Sequence, residues 1–275
     1  MSARPKVAVV QYPGVNCEYE TARCLSACGL DGVVTRWNAG RAELSGCDAF
    51  VLPGGFSFQD RIRAGAVAAR ERITDAVFDA ACAGRPVLGI CNGAQVLVEC
   101  GLVPGWTPGR IEASLAANHV EGRTGYLTAW VDVVPGPSAV RSPWLRLADG
   151  AVLPLPIAHA EGRFMFDSST DRERLDSTLV TGLVYAGPGG AEAEGFPDNP
   201  NGSFRSLAGL LNPAGNVLAM MPHPERAFHL WQVPPSLPGR WGDDRRNASP
   251  DELFSKPGPG RVIFESLAES LGGSR

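Results

Sequence analysis

Arg85-Pro86-Val87-Leu88-Gly89-Ile90-Cys91-Asn92-Gly93-Ala94-Gln95-Val96-Leu97 organises the reading of the chain. The apolar run from Val87 to Ile90 predicts a buried strand, and the fresh apolar period after Asn92-Gly93 predicts a helix. Cys91 therefore stands at a strand-to-helix corner. Gly89 and Gly93 remove side chains where strand and helix must pass closely, as in nucleophile elbows built around serine. A thiol there meets the positive end of a helix, which favours the thiolate that attacks carbonyl carbon. Without a partner group, a buried cysteine at such a corner simply packs.

A partner group lies far downstream, in Val217-Leu218-Ala219-Met220-Met221-Pro222-His223-Pro224-Glu225. This second apolar run predicts another buried strand, ending in His-Pro-Glu. Pro224 favours extended backbone at His223, and in extended backbone residues i and i+2 point the same way. Glu225 then orients the imidazole of His223 while His223 takes the proton of Cys91, a Cys-His-carboxylate arrangement for acyl transfer. The chain has four histidines, the others being His119, His159 and His229. An isolated His-x-Glu reads as a solvated loop; its place at the end of a buried strand gives this one weight.

Gly89-Ile90-Cys91-Asn92-Gly93 and Met221-Pro222-His223-Pro224-Glu225-Arg226 resemble the class I glutamine amidotransferases, and within them the glutaminase subunits of phosphoribosylformylglycinamidine synthase. Further stretches are similar to the same subunits: Gln11-Tyr12-Pro13-Gly14-Val15-Asn16-Cys17-Glu18, Leu52-Pro53-Gly54-Gly55-Phe56-Ser57-Phe58, Arg63-Ala64-Gly65-Ala66, Pro156 to Phe164, and Asn199-Pro200-Asn201-Gly202-Ser203. The resemblance implies an α/β, flavodoxin-like three-layer sandwich with a mostly parallel central sheet. It implies L-glutamine as substrate and Cys91, His223 and Glu225 as catalytic residues. The Gly-Gly turn suits an oxyanion hole, since glycines aim backbone amides without side-chain obstruction. The amides of Gly55 and Asn92 are the choice. Gly54, Gln95, His159, Glu161 and Arg163 are candidates for holding glutamine, with Glu161 or Arg163 near its charged ends; from spacing alone a structural salt bridge fits those two equally well. One departure stands at Gly55-Phe56-Ser57-Phe58-Gln59-Asp60, where the family usually has Gly-Phe-Ser-Tyr-Gly-Asp.

The same resemblance implies partners: a large ATP-dependent synthetase subunit that makes the amidine from formylglycinamide ribonucleotide, with a small bridging subunit. Ammonia would pass within that complex, and docking would organise the glutaminase site. This chain carries no P-loop glycine motif, so ATP and magnesium are expected on the synthetase and no cofactor or metal on this chain.

At 275 residues and 29.0 kDa, with 44% hydrophobic residues, the chain suits one glutaminase domain with a Pro/Trp-rich extension at about 228–275. A net charge of -4 and a pI near 5.6 give no basic field for nucleic acid. Seven cysteines, an odd number without a secretory leader, favour a reducing cytoplasm over a disulfide scaffold. Cys24 and Cys28 share a helical face, yet no second close pair completes a zinc site in the sequence. No apolar run approaches the length of a membrane span, so a soluble protein is expected.

In order along the chain, Lys6 to Gln11, Val33 to Trp37 and Ala49 to Leu52 predict strands, and Cys17 to Cys28 a helix. Asp60 to Ala83 predicts one long amphipathic helical region with Ile62, Val67, Ile73, Val77 and Phe78 in the core. Asn118 and His119 fall in a polar connection and read as surface loop. Tyr126 to Val134 alternates as a strand exposed on one side, and Leu179 to Tyr185 is strand-like. Ser206 to Leu211 and Asn216 to Met221 predict a hairpin around Pro213-Ala214-Gly215. Phe228 to Pro259 holds too many prolines for a regular element, with Trp231 and Trp241 as anchors, and Val262 to Leu271 predicts a closing helix.

Three classes of function compete at this point. A glutaminase feeding a synthetase accounts for all the motifs, though one serving another pathway is a rival within that class. A stand-alone cysteine hydrolase accounts for Cys-His-Glu alone. A silent binding subunit would be expected to lose Cys91 or His223.

Overall fold

The strands β1 (Lys6–Gln11), β2 (Asp31–Arg36), β3 (Ala49–Leu52) and β4 (Val87–Ile90) alternate with helices α1 (Glu18–Ala27), α2 (Arg41–Ser45) and α3 (Arg72–Cys82), and α4 (Asn92–Glu99) follows β4 at once. These are seen in a computed structural model that describes residues 3–120, 122–166, 173–175 and 177–272. Downstream come β5 (Ser114–Ala116), β6 (His119–Val120), β7 (Arg123–Thr124), β8 (Leu127–Pro135), β9 (Leu153–His159), β10 (Arg163–Met165), β11 (Thr181–Ala186), β12 (Leu207–Leu211) and β13 (Val217–Met220).

Nine of these strands form one sheet in the order β2-β1-β3-β4-β13-β12-β11-β8-β9. The pairings from β2 to β13 are parallel, and those from β13 to β9 antiparallel. The parallel expectation thus describes the half of the sheet that carries the nucleophile. Every residue of β3, β4 and β13 is buried, which is why these strands read as unbroken apolar runs instead of alternating ones. β8 keeps the alternation, with Val131 and Val133 inward.

Register decides where the chemistry sits. β13 lies parallel to β4 with Leu218 opposite Leu88 and Met220 opposite Ile90. The Cys91 amide then continues the ladder by donating to the Met220 carbonyl at 2.8 Å. Cys91 and His223 therefore leave the sheet side by side, at the carboxyl ends of adjacent strands, where ligands of open α/β sheets collect.

Two expectations need correction. The region from Asp60 to Ala83 is not one helix: a short 3-10 turn at Ser57–Asp60 and another at Ala68–Arg70 precede α3, which starts at Arg72. Phe58, Gln59, Asp60 and Ile62 all have positive φ, which no helix accommodates, and Ile62 is 92% exposed instead of in the core. Ile73 and Val77 are buried as expected.

The prolines of the C-terminal stretch likewise border regular elements. Helices Arg240–Asn247 and Pro250–Ser255 form there; Pro250 takes a first-turn position, where its missing N–H costs nothing, after the N-cap Ser249. The anchors are Phe228, Leu230 and Val233, which are buried, while Trp231 is 46% exposed. Phe264 of the closing helix Arg261–Ser270 meets Phe228 edge-on at 5.7 Å. Among the described residues no helix is long and apolar enough to cross a membrane.

Candidate active site

Cys91 has φ 50 and ψ -105, a conformation that L-residues rarely hold, and it joins β4 to α4 directly: its amide donates to the Met220 carbonyl at 2.8 Å and its carbonyl accepts from the Gln95 amide at 3.1 Å. The two flanking glycines are demanded by packing. A Cβ on Gly93 would lie 1.9 Å from the Leu52 carbonyl oxygen, and one on Gly89 2.6 Å from that of Gly93. The corner holds the thiol at the first turn of α4, 5% exposed, with its Sγ 3.6 Å from the Ala158 carbonyl oxygen.

His223 Nδ1 and Glu225 Oε1 are 2.6 Å apart, and both residues are nearly inaccessible to solvent. The extended backbone ends at His223; Glu225 belongs to the 3-10 turn Pro224–Ala227, and this turn brings the carboxylate back onto the ring. Bonding through Nδ1 leaves Nε2 for the thiol, and Nε2 is buried without another partner. Burial works against the imidazolium, but the Glu225 carboxylate, with Cys91 and Cys17, outweighs it and holds the His223 pKa well above its usual value. Gly54 sets the ring's position: a Cβ there would lie 2.6 Å from His223 Cε1.

Beside Cys91 opens a small cleft lined by Gly55, Asp60, Gln95, Tyr126, His159 and Glu161, among others. Of the sequence candidates, then, Gly55, Gln95, His159 and Glu161 come together around the thiol. Gly54 instead backs His223, and Arg163 lies outside the lining with its Cδ toward Gly202. Gly55 has φ 142 and bridges Val15; the bonds of that bridge run from Phe56 N to Gly14 O (3.0 Å) and from Asn16 N to Gly54 O (3.3 Å). The pattern leaves the Gly55 amide outside the ladder. The Asn92 amide, first in α4, has no acceptor within the helix by position.

The Asn92 side chain joins the two loops. Its Oδ1 accepts from the Ser57 amide at 2.9 Å, while its Nδ2 donates to Asp60 Oδ1 (3.1 Å) and Gln95 Oε1 (2.9 Å). Gln95 Nε2 in turn donates to the Glu161 carbonyl at 2.7 Å. His159 is buried with Nδ1 3.1 Å from Asn118 Oδ1, and burial, helped by His223, pushes its pKa down to about 3. It is a neutral wall of the site. Asp60 titrates at about 6, raised by desolvation and then by the Glu161 carboxylate, against the lowering effect of Asn92.

Residues 4–256 match the family described as the CobB/CobQ-like glutamine amidotransferase domain. The phosphoribosylformylglycinamidine synthase subunit PurQ of Methanothrix thermoacetophila is 42% identical over 273 residues, covering 95% of this chain and 96% of that one. The chain belongs to the PurQ family. The PurQ subunit of Pyrococcus furiosus is 40% identical over 228 residues, 82% of this chain and 91% of that one. In the solved structures, the structure of PurLQS from Thermotoga maritima superposes with a TM-score of 0.70 at 28% identity, over 98% of this chain and 100% of that chain.

Three residues of this PurQ-family site escaped the sequence reading. Asp60 looked like the entrance to a helix, and Tyr126, whose hydroxyl donates to the Ala158 carbonyl at 3.0 Å, looked like a strand end. Asn118, read as surface loop, is 4% exposed and ties together the His159 carbonyl, the Gly162 amide and the Gly125 carbonyl. Only the tertiary fold brings these groups together. Asn92→Ala tests the network directly: it strands the buried Ser57 amide and frees Gln95, so unfolding in denaturant should show a loss of about 1–3 kcal/mol. A loss within error would mean that Asn92 braces nothing.

Proposed function

We propose that this chain is the glutaminase of phosphoribosylformylglycinamidine synthase and that Cys91 carries its acyl intermediate. The carrying observation is the β4/β13 register, which sets Cys91 beside the buried His223–Glu225 pair. Cys91 Sγ attacks the side-chain amide carbon of L-glutamine, and the carbonyl oxygen becomes an oxyanion facing the Gly55 and Asn92 amides. Collapse breaks the C–N bond; His223 supplies the proton to the departing nitrogen, leaving a glutamyl thioester and ammonia. Water, giving a proton to His223, then cleaves the thioester to glutamate and restores the thiol. Glu225 keeps the ring oriented throughout.

Asp60 and Glu161 supply two carboxylates at the cleft, which suits the α-ammonium group of glutamine. Asp60 holds its proton at a higher pH than an ordinary carboxyl, so it is charged above about 6 and neutral below. Its charge costs stability, and that cost is released as pH falls through this value. Glutamine binding should run the opposite way: kcat/KM for glutamine should fall as pH drops through about 6, and Asp60→Asn should remove that limb. An unaltered limb in Asp60→Asn would assign it to another group.

The ammonia is proposed to pass directly to a large synthetase subunit, with a small bridging subunit, for ATP-dependent conversion of formylglycinamide ribonucleotide to its amidine. Exposed Phe56, Ile62 and Tyr126 near the cleft support a docked partner there. ATP and magnesium are assigned to the synthetase, since acyl transfer at Cys91 needs only thiol, base and amide donors. We also propose one glutaminase domain with its extension from about 228, working in a reducing cytoplasm. All seven cysteines are free. Mixing the chain with the synthetase, ATP, glutamine and formylglycinamide ribonucleotide should yield amidine and glutamate together; glutaminase activity stimulated only by a different synthetase would overturn the assignment.

A further inference from the structure

A second thiol stands at the catalytic histidine, and the mechanism does not use it. Cys17, just before α1, is fully buried; its Sγ receives an N–H from Arg226 Nη2 at 3.1 Å and lies 3.2 Å from Asn16 Oδ1. The side-chain donor atoms of Cys17, His223 and Glu225 all lie within 4.8 Å of one another. A Cβ on Gly54 would meet Cys17 Sγ at 3.2 Å and His223 Nδ1 at 3.3 Å, so sulfur and ring nitrogen face the same point. Glu225 Oε2 is buried with no hydrogen-bond partner.

We propose that Cys17, His223 and Glu225 form a latent site for a soft divalent cation, zinc above all, and that filling it switches the glutaminase off. Thiolate, imidazole and carboxylate together are a zinc donor set, whereas magnesium and calcium take oxygen ligands. Zinc bonds of about 2.0–2.3 Å require ligands closer together than the present spread, so the side chains must draw in around the ion. That cost makes the site reversible and inhibitory, not structural, with water completing the tetrahedron. On binding, Cys17 releases its thiol proton and His223 releases the proton on Nδ1, both to solvent, and the Nδ1–Glu225 hydrogen bond gives way to two metal bonds. Arg226 gives up its N–H to sulfur but keeps Glu20, 3.0 Å from its Nε. The inhibitory consequence rests on His223 being the base of the proposed glutaminase; the binding itself does not.

Cobalt(II) reports the site without any turnover, because a thiolate ligand gives it a near-ultraviolet charge-transfer band. Titrated into the full-length chain, cobalt should produce that band at one equivalent in the wild type and in Cys91→Ala, and zinc should abolish it by displacement. Cys17→Ser should lose the band. In the assembled synthase, zinc should inhibit glutamine use, and Cys17→Ser should raise the inhibition constant about tenfold or more over the wild-type value, each curve being normalised to its own metal-free rate. A band lost in Cys91→Ala puts the metal on the nucleophile and overturns the proposal, as does a band retained in Cys17→Ser or absent from the wild type. Cys17→Ala, which removes the sulfur without adding a buried hydroxyl, decides if Cys17→Ser fails to fold: it too should lose the band, and a band retained there overturns the proposal. Metal binding without zinc-sensitive glutamine use would leave the site standing and count against the role given to His223.

Discussion

Cys91→Ala in the assembled synthase removes glutamine-dependent amidine formation by about 10⁴-fold or more, while turnover on free ammonia is retained. Loss of a covalent nucleophile disables the whole unit, so the residual rate is what binding and the oxyanion donors provide unaided. Cys17 does not substitute, because it lies behind Gly54 and outside the cleft that Cys91 borders. Folding is little affected: alanine tolerates the corner as well as cysteine does, and one sulfur at a 5% exposed site is removed. The synthetase reaction is untouched by the change, so ammonia bypasses the missing step. Parallel rates with glutamine and with ammonium salts make the measurement. Equal loss of both would point to a broken complex instead of a lost nucleophile.

Gly54→Ala should lower glutamine-dependent kcat by about 10²-fold with a much smaller effect on KM. The substitution adds one methyl group that touches no reacting atom. That methyl would sit 2.6 Å from His223 Cε1 and 3.2 Å from Cys17 Sγ, so the ring must move. A displacement of roughly 1 Å in a catalytic group costs on this order. Gly54 lacks the positive φ that Gly55 has, so alanine meets no backbone strain and the effect isolates the histidine's position. Gly55 offers no such clean test, since its Cβ would also strike Val15 Cα at 2.5 Å. A variant with wild-type kcat would mean that the ring has slack and that the glycine serves packing elsewhere.

The strand frame that sets Cys91 beside His223 was legible because it depends on local rules. Buried parallel strands are written as unbroken apolar runs, and an elbow needs Gly89 and Gly93 for reasons of space. His223 and Glu225 were near neighbours in sequence, so no long-range knowledge was needed to pair them. The failures share one cause. Asp60 and Ile62 fall in a stretch whose apolar period suggests a helix, yet both take positive φ and Ile62 is 92% exposed. Asn118 reaches His159 across 41 positions, and Cys17 reaches Arg226 across 209. Such contacts leave no periodic trace. Gln59, which stands where the family usually has glycine, takes the left-handed conformation at φ 61, a backbone that glycine adopts without the strain a side chain brings.

The central claim is a glutamyl thioester on Cys91, and rapid-quench peptide mapping tests it most directly. The chain assembled with its synthetase partner, ATP and formylglycinamide ribonucleotide is mixed with isotopically labelled L-glutamine, quenched in acid within the first turnovers and digested. The label should appear transiently on the peptide containing Cys91 and decay as glutamate forms at the same rate. Label on Cys17 or on any other residue, or glutamate formed at full rate with no acylated Cys91, would contradict the account.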